Sequence, residues 1–150
     1  MAHEVTTAIE IAAPPEQVWA VLADLASYPQ WHPVFRAVSG RLVPGSKLTI
    51  TSTIPSSGRA MTVKVKVVTA EPGTELRWVS KLAGITISER RFLLRPADGG
   101  TSLVQAETYR GLGGGGGRGG RSTFALIDRI RGTFEAINEA IKQQAEARSA

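Results

Sequence analysis

Between Val34 and Tyr109 the chain alternates apolar and polar residues in short runs, and after Gly120 it changes to an apolar stripe recurring every three or four residues. That change of period is the strongest constraint on the fold, because period two marks a half-buried strand and steps of three and four mark one face of a helix. Leu48, Ile50 and Ile54 alternate with Lys47, Thr49, Thr51 and Thr53, and Met61, Val63, Val65 and Val67 alternate with Thr62, Lys64 and Lys66. Turn chemistry separates the runs at Pro44-Gly45, Pro55 to Gly58, Pro72-Gly73, Gly84 and Asp98-Gly99-Gly100. Intervals of roughly ten to fifteen residues are too short for helical crossovers and predict an antiparallel meander. The stripe Phe124, Ile127, Ile130, Phe134, Ile137 and Ile141 predicts one helix of about five turns.

Ahead of the meander, Val5, Thr7, Ile9 and Ile11 alternate as a strand, and Pro14-Pro15 ends it. Proline suits the first helical turn, where its missing N–H is not needed, and Glu16 complements the helix dipole. The helix EQVWAVLADLASY follows, with Val18, Trp19, Leu22 and Leu25 on one face, and YPQWHP forms a short connection. The order strand, helix, about six strands, long helix predicts a single α+β domain over residues 1–150, in which a curved antiparallel sheet wraps the terminal helix. A chain of 150 residues is long enough to bury roughly 68–70% of its unfolded surface.

The chain has no cysteine, which removes disulfides, thiolate metal sites and a cysteine nucleophile. Its two histidines, His3 and His32, are far apart in sequence and lack clustered acids, so neither a metal site nor a cofactor is expected. The formal net charge of +5 is concentrated in residues 31–100, which carry eleven basic and four acidic side chains, whereas residues 1–30 carry four acidic and no basic ones. Such a region attracts anions, but its basic residues are scattered over strands rather than set beside an apolar face, which argues against stable membrane attachment. No run approaches a membrane span, and MAHEVTTAIEIAAPPEQ lacks the basic start and apolar stretch of a signal peptide, so a cytoplasmic protein is expected.

Seven of the eight residues from Gly113 to Gly120 are glycine. Gly115, Gly120, Arg121 and Ser122 fall at the spacing of a phosphate-binding loop, but arginine stands where the lysine belongs and no βαβ unit surrounds it. Arg110, Arg118 and Arg121 could meet phosphates, yet no aromatic residue from Gly111 to Thr123 could stack on bases, so nucleic acid is not an expected partner. The run reads as a mobile lid or shortened linker.

His32 could shuttle protons near neutrality, against the plainer reading of a loop-packing residue. Arg90 shares a strand face with Phe92 and Leu94, and Gln105 and Glu107 share one with Leu103 and Tyr109. If those faces look inward, Arg90 and Glu107 either satisfy each other or anchor a polar ligand group; Ile85, Ile87, Val104 and Ala106 leave the opposite register open. Trp19, Trp31 and Trp78 are core candidates first, with Trp78 favoured for a ligand wall.

The run IEIAAPPEQVWAVLADLASYPQWHPVFRAVSG, followed by PGSKLTI, EPGTELRWVSKL, ERRFLLRP, GGTSLVQAETYRG and FEAINEAIKQQAEA, resembles the SRPBCC (START-like, polyketide cyclase/dehydrase-type) ligand-binding proteins. The resemblance covers about residues 4–111 and 121–147 and rests on Pro14-Pro15 before Val18-Trp19, Tyr28-Pro29, Trp31-His32-Pro33, Gly40, Leu76-Arg77-Trp78, Phe134 and Asn138-Glu139. It implies a helix-grip fold, with a seven-stranded sheet gripping the C-terminal helix around a mostly apolar cavity. The glycine run departs from relatives, which carry bulky apolar residues there. The resemblance supports a carrier and an enzyme alike, and because no compact nucleophile–base constellation is visible, the leading expectation is a carrier of a small apolar or aromatic molecule. The cavity would be roofed by Phe124, Ile127, Ile130, Phe134 and Ile137 and walled by Trp78, Phe92 and Tyr109, with Arg90, Gln105 or Glu107 setting orientation. A polyketide cyclase or dehydratase using the same cavity is the alternative, with Glu107 or His32 as its acid–base group.

Overall fold

The computed structural model describes residues 2–53, 57–110 and 119–149, with side chains described for 3–53, 57–110 and 125–148. Seven antiparallel strands form one curled sheet: β1 (Ala2–Ile11), β2 (Phe35–Ser39), β3 (Lys47–Thr53), β4 (Ala60–Glu71), β5 (Glu75–Leu82), β6 (Ile85–Ala97) and β7 (Gly100–Arg110). Their order across the sheet is β1-β7-β6-β5-β4-β3-β2. Strands β2 to β7 are a meander, and only β1 pairs with a strand far away in sequence. The described residues also form three α-helices: α1 (Pro15–Ala23), α2 (Tyr28–Trp31) and α3 (Gly119–Ser149). This is the helix-grip α+β fold, with a half-barrel sheet closed over a long C-terminal helix.

Sequence dictates the tight turns directly. Leu82 pairs with Ile85 across Ala83-Gly84, and Ala97 with Gly100 across Asp98-Gly99. Ala83 and Asp98 have φ of 52° and 38°, and the glycines after them 79° and 80°. Two consecutive positive-φ residues make the hairpin turn whose twist matches the flanking strands, and glycine takes its second position without a Cβ penalty.

The first helix is shorter than its apolar pattern suggests. Pro14 accepts the first helical bonds from Gln17 and Val18, as a residue capping a proline-started helix should. The helix breaks at Asp24 (φ −84°, ψ 72°), and a 3-10 turn over Leu25–Ser27 leads into the single turn of α2, within the expected connection. Buried Tyr28 supplies the reason: its hydroxyl donates to the Leu22 carbonyl at 2.6 Å. Val18, Val21 and Leu22 are buried, while Trp19 and Leu25 lie against the core edge.

The concave face carries the core. Val5, Ile11, Leu48, Ile50, Val65, Val67, Leu76, Trp78, Phe92, Leu94 and Leu103 meet Phe134, Ile137, Ile141 and Ala145 of α3. A short polar chain sets the helix register: Asn138 Nδ2 donates to Thr7 Oγ1 at 2.8 Å, and that hydroxyl donates to the Gln105 carbonyl at 3.0 Å. The stripe of α3 is thus buried only in its C-terminal half; Ile127 and Ile130 are half-buried, and the side chain of Phe124 lies outside the described residues. The same end of the sheet exposes Met61 and Val63, which share a strand face with buried Val65 and Val67. Ile54 and most of the glycine run lie outside the described residues; Gly119 and Gly120 open α3.

Candidate functional site

Where the stripe of α3 loses its cover, the molecule holds a cleft of about 360 Å³. Val34 just before β2, Phe35 at its start, Ser52 and Thr53 at the end of β3, and Met61 of β4 form one wall; Leu126, Arg129, Ile130, Thr133 and Phe134 of α3 form the other. Arg90 of β6 and Tyr109 of β7 also line it. The strand register places Arg90 opposite Glu107 and Trp78, all on the concave face, which settles the register that the sequence left open.

Arg90 is held on several sides. Its Nε donates to Glu107 Oε1 at 2.7 Å, with side-chain exposures of 13% and 9%. Its guanidinium carbon lies 4.6 Å from the ring centroid of Phe134, 5.6 Å from Phe35 and 6.0 Å from Trp78. These distances are within reach of the attraction between a cation and an aromatic face. The Nη1 atom is buried and has no partner. Gln105, fully buried, leaves both side-chain polar atoms unpartnered, as does Asn138 Oδ1. A guanidinium donor fixed by an acid and a cage of rings, with its buried Nη1 unspent, suits a ligand oxygen. Burial, and then the neighbouring Glu107 carboxylate, push the Tyr109 hydroxyl well above the usual tyrosine range, so it stays protonated.

Not every wall expected from the sequence faces this space. Trp78 and Phe92, expected as walls, are buried in solid core with Leu76 and Leu94, while Met61 of β4 and Arg90 of β6 reach the cleft. The cause is the Arg90 cage, which fills the middle of the concave face with Trp78 and Phe134. Ile130, Phe134, Tyr109 and Arg90 line the cleft, whereas Gln105, Glu107 and Ile127 lie outside its lining. The sequence did not single out Phe35, two residues after the WHP run; Leu126 and Thr133 stand at helical spacing from Ile130, and Arg129 at the same spacing from Leu126 and Thr133.

His32 sits behind the cage. Its Nδ1 accepts the backbone N–H groups of Val34 and Phe35 at 3.0 and 2.9 Å, and its ring stacks on Phe35 at 4.2 Å. Burial, and then the Arg90 charge, pull its pKa down to about 3. A neutral imidazole with one nitrogen occupied by the backbone shapes the WHP loop. The folded pKa is below the unfolded one, so this contribution to stability is whole above about pH 6.5 and is lost as pH falls from there toward 3. Urea unfolding at pH 7.5 and 5 is therefore expected to show a loss of at most ~1.4 kcal/mol per pH unit below 6.5 from this group. His32→Asn keeps an acceptor for the two N–H groups, and its acid-side loss should be smaller than the parent's; equal losses would remove His32 as the cause.

Among the described residues, no three His, Asp or Glu side chains gather as metal ligands, and no helix is long and apolar enough to cross a membrane. The family model for polyketide cyclase / dehydrase and lipid transport matches residues 2–146. Comparison with curated proteins gives no match. Among solved structures, the chain is similar to the di-domain aromatase/cyclase StfQ of the steffimycin biosynthetic pathway (TM-score 0.80, 16% identity, 99% of this chain) and spans 52% of that protein's length. It is also similar to the Zhui aromatase/cyclase from Streptomyces sp. R1128 (TM-score 0.78, 18% identity, 100% of this chain and 97% of that one). Protein Ms6760 from Mycobacterium smegmatis aligns at TM-score 0.68 and 22% identity over 96% of this chain and 88% of that one. With that model spanning nearly all of a chain whose seven-stranded sheet grips its last helix, the protein belongs to the polyketide cyclase/dehydrase and lipid transport family.

Proposed function

We propose that the cleft binds a small apolar or aromatic molecule with an oxygen at one end, and that the protein carries or sequesters it. The observation that carries this reading is the unspent Nη1 of Arg90, fixed by Glu107 and three rings in a largely apolar surround. The volume of about 360 Å³ falls within the range of small-molecule sites. Burial of the ligand's rings against Val34, Met61, Ile130 and Phe134 supplies the driving force, at about 25 cal/mol per Å², and Arg90 supplies orientation.

Two fluorescent naphthalenes test it: anilinonaphthalene sulfonate, which is anionic, and N-phenylnaphthylamine, which is neutral. Ile130→Trp takes up the space in the cleft, at a cost in folding stability of about 1–3 kcal/mol from the added bulk. Both probes should weaken in this variant while the circular dichroism stays native. Unchanged binding would place the ligand elsewhere.

The aromatase/cyclase neighbours favour a second reading, in which the same cleft orders a reactive chain for ring closure or dehydration. Tyr109, a hydroxyl that stays protonated and lines the cleft with Arg90, is the group best placed to donate a hydrogen bond to a reacting oxygen. Glu107 is occupied by Arg90 and His32 by the backbone, and this weighs toward carriage. Turnover of a polyketide-like substrate that Tyr109→Phe abolishes, with probe binding intact, would decide for the enzyme.

A further inference from the structure

The convex face of the sheet divides sharply by charge. At one end its arginines are neutralised: Arg77 bonds Glu75 at 2.7 Å and Glu89 at 3.5 Å, and Arg91 bonds Glu4 at 3.2 Å and Glu89 at 3.4 Å. At the other end Lys47, Lys64, Lys66 and Lys81 surround one groove of about 400 Å³, and none has a carboxylate partner among the described residues. Scattered over three strands in sequence, these lysines are gathered by the register, which sets Lys47 against Lys66, and by the end of β4–β5 pairing at Lys66 and Val79.

Beside them stands an apolar hairpin tip. Leu82 and Ile85 face each other across the β5–β6 turn with 68% and 64% of their surface exposed. Ile87, also exposed, shares a groove with Lys64 and Lys81. Uncovered aliphatic side chains next to unpaired lysines, on a tight turn that projects them, combine the two features of an interfacial anchor: insertion at the acyl boundary and attraction to anionic headgroups.

We propose that this end of the sheet, the β5–β6 tip with the lysine groove, docks reversibly on an anionic lipid bilayer. A free phosphate would use the lysines and leave Leu82 and Ile85 without a role, and an acidic protein would meet the same objection at a tip of only two residues. The groove containing Ile87 also contains Tyr109, which lines the ligand cleft, so a docked molecule holds its cleft next to the lipid surface. Docking itself does not depend on what the cleft holds.

Flotation of the full chain with vesicles of phosphatidylcholine alone and with 30 mol% phosphatidylserine, about the charge density at which each lysine contributes roughly fivefold in partition, tests it. Binding is expected only to the anionic vesicles. Lys64→Ala with Lys66→Ala should weaken it about 25-fold, and replacement of both by arginine should restore it. Leu82→Ser with Ile85→Ser should weaken it at constant charge, and both pairs, being exposed, should keep the parent's melting temperature. No binding to anionic vesicles would overturn the proposal, as would binding indifferent to Leu82 and Ile85. So would self-association in sedimentation that the same serine pair abolishes while vesicle binding persists.

Discussion

Arg90→Met is expected to destabilise the protein by about 3–5 kcal/mol, and Arg90→Met with Glu107→Gln by less. The buried pair explains the inversion. Methionine fills the space of the arginine stem, but it leaves the buried Glu107 carboxylate with no cation to meet it. Converting that carboxylate to an amide removes the stranded charge. Glu107→Gln alone is the milder single change, because the guanidinium keeps its three ring faces. For a chain of this size each kcal/mol corresponds to roughly 2–4 °C, so Arg90→Met should melt about 10 °C below the parent. A urea double-mutant cycle that gives simple additivity would show that the two groups are not coupled.

Phe134→Ala is expected to cost a similar amount, about 3–5 kcal/mol, for a different reason. Phe134 is 2% exposed, where α3 passes from solid core to cleft, and its ring is the nearest of the three to the Arg90 guanidinium. Removing it deletes core contacts, strips one face of the cage and joins the void to the cleft. A small aromatic solute added to the variant should therefore recover part of the lost stability by occupying the new space, and it should do little for the parent. Chemical unfolding with and without the solute measures both effects. A cost below about 1 kcal/mol would mean that the site collapses onto the gap rather than holding it open.

The contrast between these two residues shows what the sequence could and could not disclose. Phe134 was legible, since steps of three and four place it on the stripe of α3 and a large ring there must be covered. The Lys47–Thr53 strand and the hairpin turns were legible for the same reason, because periodicity and turn chemistry are local, whereas the inward rows of β6 and β7 were not, since Ile85, Ile87, Val104 and Ala106 fit the opposite register equally well. Arg90 was visible as an anomaly on an apolar face, yet its cage was not. Phe35 and Trp78 come from other strands, and only the β2–β3 bulge and the pairing of Trp78 with Arg90 bring them to it. The early end of α1 depends on one hydroxyl, that of Tyr28, reaching back to Leu22. The lysine groove depends on strand register, and separate strands carry no register in their own text.

The placement of β1 has a consequence for how the chain acquires its fold. Residues 2–11 pair only with residues 101–110, and the last helix lies across that same first strand. At a synthesis rate of roughly 5–20 residues per second, the first strand waits on the order of 5–20 s for its partner to emerge. During that wait Val5, Ile9 and Ile11 form an uncovered apolar row on an unpaired edge, the kind of segment that chaperones hold and that aggregates when they do not. The meander can assemble from neighbours as it appears, while its seal is set by a loop closure of about ninety residues, which makes this joint the slow and error-prone step of maturation.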